Sequence, residues 1–163
     1  MTIMSKKLLF KKIESLLSEK NFKRDGNYYR RDIGFVKQAL YLNPSRNGGE
    51  YFIEMLITYI DLNPERKNTQ GDAHLKARLS SYYHPLGNPE SQLEWTCRYE
   101  GLNADSPLLT IHLPEALNVF FDWIDQYPSW QVAVDKMKQY KFAIFISRSA
   151  LFEDIGQAVP MPQ

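Results

Sequence analysis

Residues 50–60 read EYFIEMLITYI and form the most apolar stretch of a chain of 163 residues. In an extended conformation, one face carries Tyr51, Ile53, Met55, Ile57 and Tyr59, and the other carries Phe52, Leu56 and Ile60. A strand that is apolar on both faces is typical of the middle of a sheet, where both faces are covered. Glu50–Ile60 is therefore predicted to be a central strand.

Further extended segments lie on both sides of this stretch in the sequence. Tyr28–Asp32 and Gly34–Leu42 precede it, and the polar stretch Asn43–Gly49 predicts a long hairpin loop. After it, Leu93–Tyr99 alternates apolar and polar residues, which indicates a half-buried strand, and Leu108–His112 predicts another short strand. The chain is thus expected to supply about five strands.

Four other segments carry apolar residues at helical spacing. The first is Ser5–Lys20, and the second is Asp72–Tyr83 with Asp72 as its N-cap. The third begins at Pro114, because proline suits the first position of a helix, and the fourth begins at Trp130. Phe142–Ile146 fits either a last strand or a continuation of the fourth helix.

The order of these elements is not the regular strand–helix alternation of a parallel sheet. It predicts the α+β class, with an antiparallel meander of about five strands covered by helices. Residues 1–152 form a single domain in this prediction, and residues 153–163 form a loose tail. Asp61–Gly71 and Pro85–Ser91 are predicted to be loops.

Composition argues against intrinsic disorder, since 44% of the residues are apolar and 13% are aromatic. The formal net charge is only +1, but the charges are unevenly placed. Residues 1–49 hold 11 basic and 4 acidic side chains, whereas residues 50–163 hold 9 basic and 15 acidic ones. The basic part could face an acidic partner or phosphates. Alternatively, the two parts pair with each other across the fold.

Cys97 is the single cysteine, so an intramolecular disulfide is impossible, which fits a reducing compartment. It shares one face of its alternating segment with Trp95 and Tyr99 and is predicted to be a buried small side chain. The chain starts without the apolar run of a signal peptide, and no stretch has the length of a membrane span. A cytoplasmic location without membrane contact is therefore expected.

Residues 16–30 read LLSEKNFKRDGNYYR and resemble a bacterial family catalogued as domain of unknown function 4304. In that family, a helix leads into a Gly-Phe-Lys/Arg turn, which an aromatic residue and an arginine follow. Gly71–Leu79 and Leu93–Trp95 resemble later elements of it, and the likeness covers roughly residues 5–125. Asn21 replaces the usual glycine, and Asn43 replaces the glutamine of a Gln-x-Ser element. The resemblance implies a helix-covered sheet and no particular activity.

The sequence contains none of the common motifs of catalysis or cofactor binding. It has no His-Glu-x-x-His, no Gly-x-Ser-x-Gly, no phosphate-binding Gly-x-x-x-x-Gly-Lys-Ser/Thr and no Gly-x-Gly-x-x-Gly. The three histidines, His74, His84 and His112, form no close pair on one helix face. We therefore predict no catalytic residue, no metal site and no cofactor.

A basic cluster near the N-terminus is the main candidate for function. Its predicted partner-binding residues are Lys23, Arg24, Tyr29, Arg31 and Arg46. Arginine and tyrosine favour protein interfaces and also stack on bases. Because side chains alternate along a strand, Tyr29 and Arg31 should lie on the face opposite to Tyr28 and Arg30, so only half of the cluster is expected in one patch. A charged strand can also simply protect a sheet edge.

Glu54 interrupts the apolar central strand and is the second candidate. A carboxylate buried there requires a cationic or donor partner, for which Arg78, Arg30 and Arg31 are candidates. It forms either a structural ion pair or part of a pocket with His74 and Arg78.

Three functional hypotheses follow. The favoured one is a non-catalytic protein-binding module, such as an immunity or antitoxin-type inhibitor, acting as a monomer or small homo-oligomer. The alternatives are nucleic-acid binding through the basic N-terminal part, and an enzyme with an unfamiliar site around Glu54, His74 and Arg78.

Overall fold

The computed structural model describes residues 2–85, 95–139, 143 and 145–160. Within these residues the chain is an α+β domain with four α-helices and a seven-stranded antiparallel sheet. The helices are α1 (Thr2–Ser18), α2 (Leu113–Asp125), α3 (Trp130–Gln139) and α4 (Ser149–Asp154). The fold class is confirmed, with two strands more than expected.

The strands follow the chain from one edge of the sheet towards the other. They are β1 (Lys23–Asp25), β2 (Tyr28–Ile33), β3 (Val36–Pro44), β4 (Glu50–Tyr59), β5 (Leu75–Arg78), β6 (Cys97–Arg98) and β7 (Ile146–Ser147). Their order is β1-β2-β3-β4-β5-β7, and the short β6 pairs with the start of β4. The apolar stretch that predicted a central strand is β4, so that prediction is confirmed.

One face of the sheet packs against helices and forms the core. Leu9, Ile13 and Leu17 of α1 are fully buried at a spacing of four residues. Helix α1 ends at Ser18 and is followed by a turn that closes at Asn21, which has φ of 67°, and the Phe22 N–H donates to the Leu17 carbonyl at 3.1 Å. This is the left-handed C-terminal geometry that asparagine tolerates better than most residues.

The other face carries a polar row that runs across four strands. Tyr28, Tyr41, Glu54 and Arg78 are successive cross-strand neighbours. Residues 61–73, which we call the covering loop, lie over this row. The Thr58 hydroxyl donates to Asn68 Oδ1 at 2.8 Å, and the Gln70 N–H donates to the Tyr28 hydroxyl at 3.2 Å. The sheet is therefore covered by helices on one face and by a polar loop on the other.

The predicted helix at Asp72–Tyr83 is wrong. Leu75–Arg78 forms β5, and Leu79–Ser81 forms one turn of 3-10 helix. Leu75, Ala77 and Leu79 are all buried, so the segment follows the two-residue repeat of a strand. Because β4 needs a partner on this side, pairing with it overrides the helical spacing of the leucines.

The predicted strand at Leu108–His112 is also wrong, because these residues form a π-helical turn that leads into α2. A five-residue apolar run does not distinguish a strand from part of a buried helix. Of the predicted strand Leu93–Tyr99, Cys97 and Arg98 are paired with β4. Ile146–Ser147 is a strand, whereas Phe142, Ile144 and most of Pro85–Ser91 lie outside the described residues.

Ordered structure also extends beyond the predicted domain end at residue 152. Helix α4 continues to Asp154, and Arg66 of the covering loop binds the carboxylates of Glu153 and Asp154. Cys97 is completely buried, and burial raises the pKa of its thiol to about 12, as expected for a structural cysteine. None of the helices in the described part of the chain has the length and apolar character that a membrane crossing requires.

Candidate functional site

An open groove of about 980 Å³ lies at the sheet edge, between the β1–β2 hairpin and the covering loop. Among the described residues, its basic lining residues are Lys23, Arg24, Arg30, Arg31, Lys37, Arg66 and Lys67. The acidic ones are Asp25 and Asp32. We call this feature the basic groove. Its balance of charge favours an anionic ligand.

The β1–β2 hairpin brings both faces of the sheet edge to the basic groove. Lys23 pairs with Arg30, and Arg24 pairs with Tyr29, so Lys23 and Arg30 lie on one face while Arg24 and Arg31 lie on the other. The predicted alternation along the strand is observed, but it does not separate Arg30 from Arg31, because long side chains at an edge reach the same groove from both faces.

Three of the arginines are held over aromatic rings. The pairs, with the distance from guanidinium carbon to ring centroid, are Arg24 over Phe10 (4.4 Å), Arg30 over Tyr28 (4.1 Å) and Arg31 over Phe22 (4.5 Å). Hydrogen bonds fix the guanidinium groups further, such as Arg31 Nη1 to the Lys20 carbonyl at 3.0 Å. Burial lowers the pKa of Arg31 although Asp125 opposes this shift. The arginines are thus fixed in place before a ligand binds.

Arg66 is a groove residue whose charge is already neutralised. Its guanidinium binds Asp72 at 3.0 Å, Glu153 at 2.8 Å and Asp154 at 2.9 Å. The hydrogen bonds to Asp154, above all, raise the pKa of Arg66. Lys23 and Lys67 are exposed, and their ammonium groups have no hydrogen bond or ion pair within the described part of the chain. Arg24 and Arg31 also have no ion pair there, but they donate hydrogen bonds to uncharged oxygens, so the two lysines are the groove cations without any polar partner in that part of the chain.

The predicted partner-binding residues divide into three groups. Lys23, Arg24 and Arg31 line the basic groove. Tyr29 is a core residue rather than a surface one, because it is 1% exposed and its hydroxyl donates to the Phe10 carbonyl at 3.3 Å. Burial raises the pKa of Tyr29 to about 12. Arg46 is exposed in the β3–β4 hairpin and lies outside the groove.

Sequence reasoning missed Lys37, Arg66 and Lys67. Lys37 follows the next hairpin along the chain, and Arg66-Lys67 belongs to a loop that was correctly predicted as irregular. The charge of Arg66-Lys67 is visible in the sequence. Its position is not, because nothing local indicates that this loop folds back over the sheet edge.

A smaller groove of about 380 Å³ continues the basic surface onto α1. It is lined by Lys6, Lys7, Phe10, Lys11, Glu14 and Arg24. Arg24 lines both grooves, so the positive surface runs from the covering loop across the sheet edge to α1.

Glu54 is buried, with 2% of its surface exposed, and Arg78 is its cationic partner as predicted. Its Oε1 accepts hydrogen bonds from Asn43 Nδ2 at 3.3 Å and Gln70 Nε2 at 3.2 Å, and Arg78 Nε lies 3.8 Å away. Arg78 also stacks over Phe52 at 4.5 Å. The second oxygen of Glu54 has no hydrogen-bond partner among the described residues.

His74 belongs to a different network from that of Glu54 and Arg78. It is 0% exposed, its Nδ1 accepts the Tyr59 N–H at 2.9 Å, and its Nε2 lies 2.6 Å from Asp154 Oδ2. Nε2 therefore carries the proton and donates to Asp154. Burial lowers the pKa of His74 although Asp154 opposes this shift. With both nitrogens occupied, His74 is a structural residue, and none of the predicted pocket residues Glu54, His74 and Arg78 lines either of the two grooves described above.

The described residues contain no group of His, Cys, Asp and Glu side chains arranged to hold a metal ion. Comparison with known proteins finds no match to a family model, to a curated protein or to a solved structure. The resemblance to family 4304 stays a prediction.

Proposed function

We propose that this chain is a non-catalytic binding module that docks an acidic protein surface in the basic groove. The observation that supports this most strongly is the groove itself. Of its seven basic side chains, Arg30, Lys37 and Arg66 have carboxylate partners, whereas the other four have no ion pair within the described part of the chain, namely Lys23, Arg24, Arg31 and Lys67. An immunity or antitoxin-type inhibitor, which acts by covering a partner, is the concrete form of the proposal.

The groove has properties that suit a protein interface. Its arginines are already fixed by stacking and hydrogen bonds, so binding costs little side-chain entropy. Arginine is enriched at the energetic centres of interfaces, and a field of one sign accelerates association with a partner of the opposite sign. Lys23 in the β1–β2 hairpin and Lys67 in the covering loop would attract an acidic partner as it approaches the groove.

The same arrangement favours a protein over a nucleic acid. Single-stranded nucleic acids bind by stacking successive bases on exposed aromatic rings, but Phe10, Phe22 and Tyr28 are each covered by an arginine. Phe35 at the neighbouring hairpin tip is exposed, and it offers one ring rather than a row of them.

An enzymatic function has less support from the two polar networks. His74 is sealed from solvent and uses both ring nitrogens for structural hydrogen bonds. Glu54 is buried beneath the covering loop and held by Asn43 and Gln70. A general base must reach its substrate, and neither side chain is positioned to do so.

Fluorescence anisotropy with labelled poly-L-glutamate, and with DNA and RNA oligonucleotides of equal length, tests this proposal. We expect poly-L-glutamate to bind at low salt, and its affinity to fall at least tenfold in the double variant Lys23→Glu/Lys67→Glu. Arg46→Glu is the matched control, since it reverses an exposed charge outside the groove. Tighter binding of an oligonucleotide would favour the nucleic-acid alternative, and no binding of either polymer would remove the groove as a site.

The proposal includes a cytoplasmic location, supported by the buried single cysteine, and a monomer or small homo-oligomer as the free state. Isolation of a stoichiometric acidic partner from the source cells would identify the protein that is bound. That partner should be released by salt.

A further inference from the structure

The tip of the β2–β3 hairpin carries two exposed apolar side chains. Ile33 pairs with Val36, which leaves Gly34 and Phe35 as a two-residue loop. Gly34 has φ of 57°, a value that glycine adopts readily at the first position of such a loop. The Ile60 N–H donates to the Phe35 carbonyl at 3.0 Å, which fixes the loop against the end of β4. We call Ile33 and Phe35 the apolar tip.

Folding does not explain the apolar tip. Ile33 is 51% exposed and Phe35 is 66% exposed, so neither side chain is part of the core. Hairpin loops favour small or polar residues, and a single exposed apolar residue needs no explanation. Two large exposed apolar side chains at the tip of one hairpin form an apolar patch, and such patches mark interaction sites.

The apolar tip borders the basic groove. Ile33 lines the groove together with Arg31 and Lys37, and Lys37 lies 3.9 Å from Asp32 in the same hairpin. Interfaces commonly combine an aromatic or aliphatic anchor with a charged rim. The hairpin therefore presents an anchor directly beside a field of positive charge.

We propose that the apolar tip inserts into an apolar pocket on the partner, and that acidic residues around that pocket face the basic groove. This inference rests on the proposed function and deepens it by describing the partner's binding surface. It differs from the groove proposal in its source of affinity, since burial of Phe35 does not weaken with salt whereas the charge contacts do.

A photo-crosslinking amino acid, p-benzoylphenylalanine, placed at position 35 of the full chain tests the inference in lysate of the source cells. The same group at position 145 is the control, because Phe145 is also about half exposed but does not line the groove. We expect one protein adduct at position 35, mapped by mass spectrometry to a peptide with apolar residues flanked by acidic ones. The purified partner should then bind Phe35→Ala at least tenfold more weakly, with Phe145→Ala unchanged.

The other outcomes overturn the inference in distinguishable ways. An adduct that nuclease removes would make the apolar tip a wedge for nucleic acid, and an adduct with a second copy of this chain would make it a self-association contact. No adduct at position 35, or an affinity that Phe35→Ala leaves unchanged, would remove the apolar tip as an anchor. If Lys23→Glu/Lys67→Glu still weakens binding in that case, the groove proposal stands and only the anchor fails.

Discussion

Arg66 and Asp154 form a bidentate ion pair between residues 88 positions apart in the sequence. Nε lies 2.9 Å from Oδ2, and Nη2 lies 3.1 Å from Oδ1. Asp154 also accepts a hydrogen bond from His74, so one carboxylate ties α4 to the middle of the covering loop at Arg66 and to the residue that directly follows this loop, His74. Because residues 64–69 of that loop form one wall of the basic groove, this pair also fixes the shape of the candidate site.

Replacing Asp154 should therefore destabilise the fold. The variant Asp154→Asn removes the negative charge that Arg66 and His74 share and replaces one acceptor oxygen with an NH2 donor. Loss of one charged partner from a buried network costs about 3 kcal/mol. Glu153→Gln is the matched control. The Glu153 side chain is 74% exposed, and loss of its charge should cost less than about 0.5 kcal/mol. Urea denaturation of the two variants measures the difference, and equal stabilities would contradict this role of Asp154.

The same network predicts that stability falls as the pH is lowered. Burial raises the pKa of Asp154, but hydrogen bonds from Arg66 and His74 outweigh this effect and lower it to about 2. Since the unfolded carboxyl titrates near 3.8, the unfolded state binds more protons, and this contribution is lost between about pH 4 and pH 2.

Protonation of His74 in the unfolded state also lowers the stability on acidification, but at higher pH than that of Asp154. Its pKa is lowered from 6.5 by burial, so the unfolded imidazole binds a proton that the folded one does not. Stability should begin to fall as the pH drops below about 6.5. Urea titrations at several pH values test both windows. A stability that rises on acidification from pH 7 to pH 5 would contradict the neutral state of His74.

Tyr29 should contribute to stability and not to binding. The variant Tyr29→Phe removes only the hydroxyl that donates to the Phe10 carbonyl, at a cost of about 1 kcal/mol. Its affinity for poly-L-glutamate should equal that of the wild type, because the ring lies in the core. If the variant remains folded but binds poly-L-glutamate several fold more weakly, Tyr29 contributes to binding and its assignment as a purely structural residue is wrong.

Asn21 offers a test of the end of α1. Its φ of 67° is left-handed, and glycine adopts this conformation at lower cost than any other residue. Asn21→Gly should keep or raise the free energy of unfolding, by up to about 1 kcal/mol, whereas Asn21→Ala should lower it by a similar amount. Thermal or urea unfolding of the pair measures the sign, and a more stable alanine variant would contradict the geometry.

Local patterns in the sequence predicted those elements whose apolar residues fit one type of secondary structure. The stretch Glu50–Ile60 is apolar on both faces of a strand and contains β4, and Leu9, Ile13 and Leu17 repeat on a helix and lie in α1. Leu75 and Leu79 satisfy both periods, since they are four residues apart and also fall on the same face of an extended segment. Only the need of β4 for a partner decides between helix and strand there.

The candidate site was predictable only in part because it is assembled by distant contacts. Lys23, Arg24 and Arg31 are visible as a local cluster, and their alternation along the strands could be derived from the sequence. That β1 lies at the sheet edge, where both faces converge on one groove, depends on the strand order. The position of Arg66 depends on Asp154 at the far end of the chain, which no local pattern reveals.

The most direct test of the central claim is a titration of the ¹⁵N-labelled protein with poly-L-glutamate, followed by amide chemical shifts. We predict salt-sensitive shift changes concentrated in the two segments that contain most of the groove-lining residues, 23–37 and 64–69, and reduced changes in Lys23→Glu/Lys67→Glu. Changes centred on Arg46 or on α2 and α3, or no changes at low salt, would contradict the assignment of this groove as the binding site.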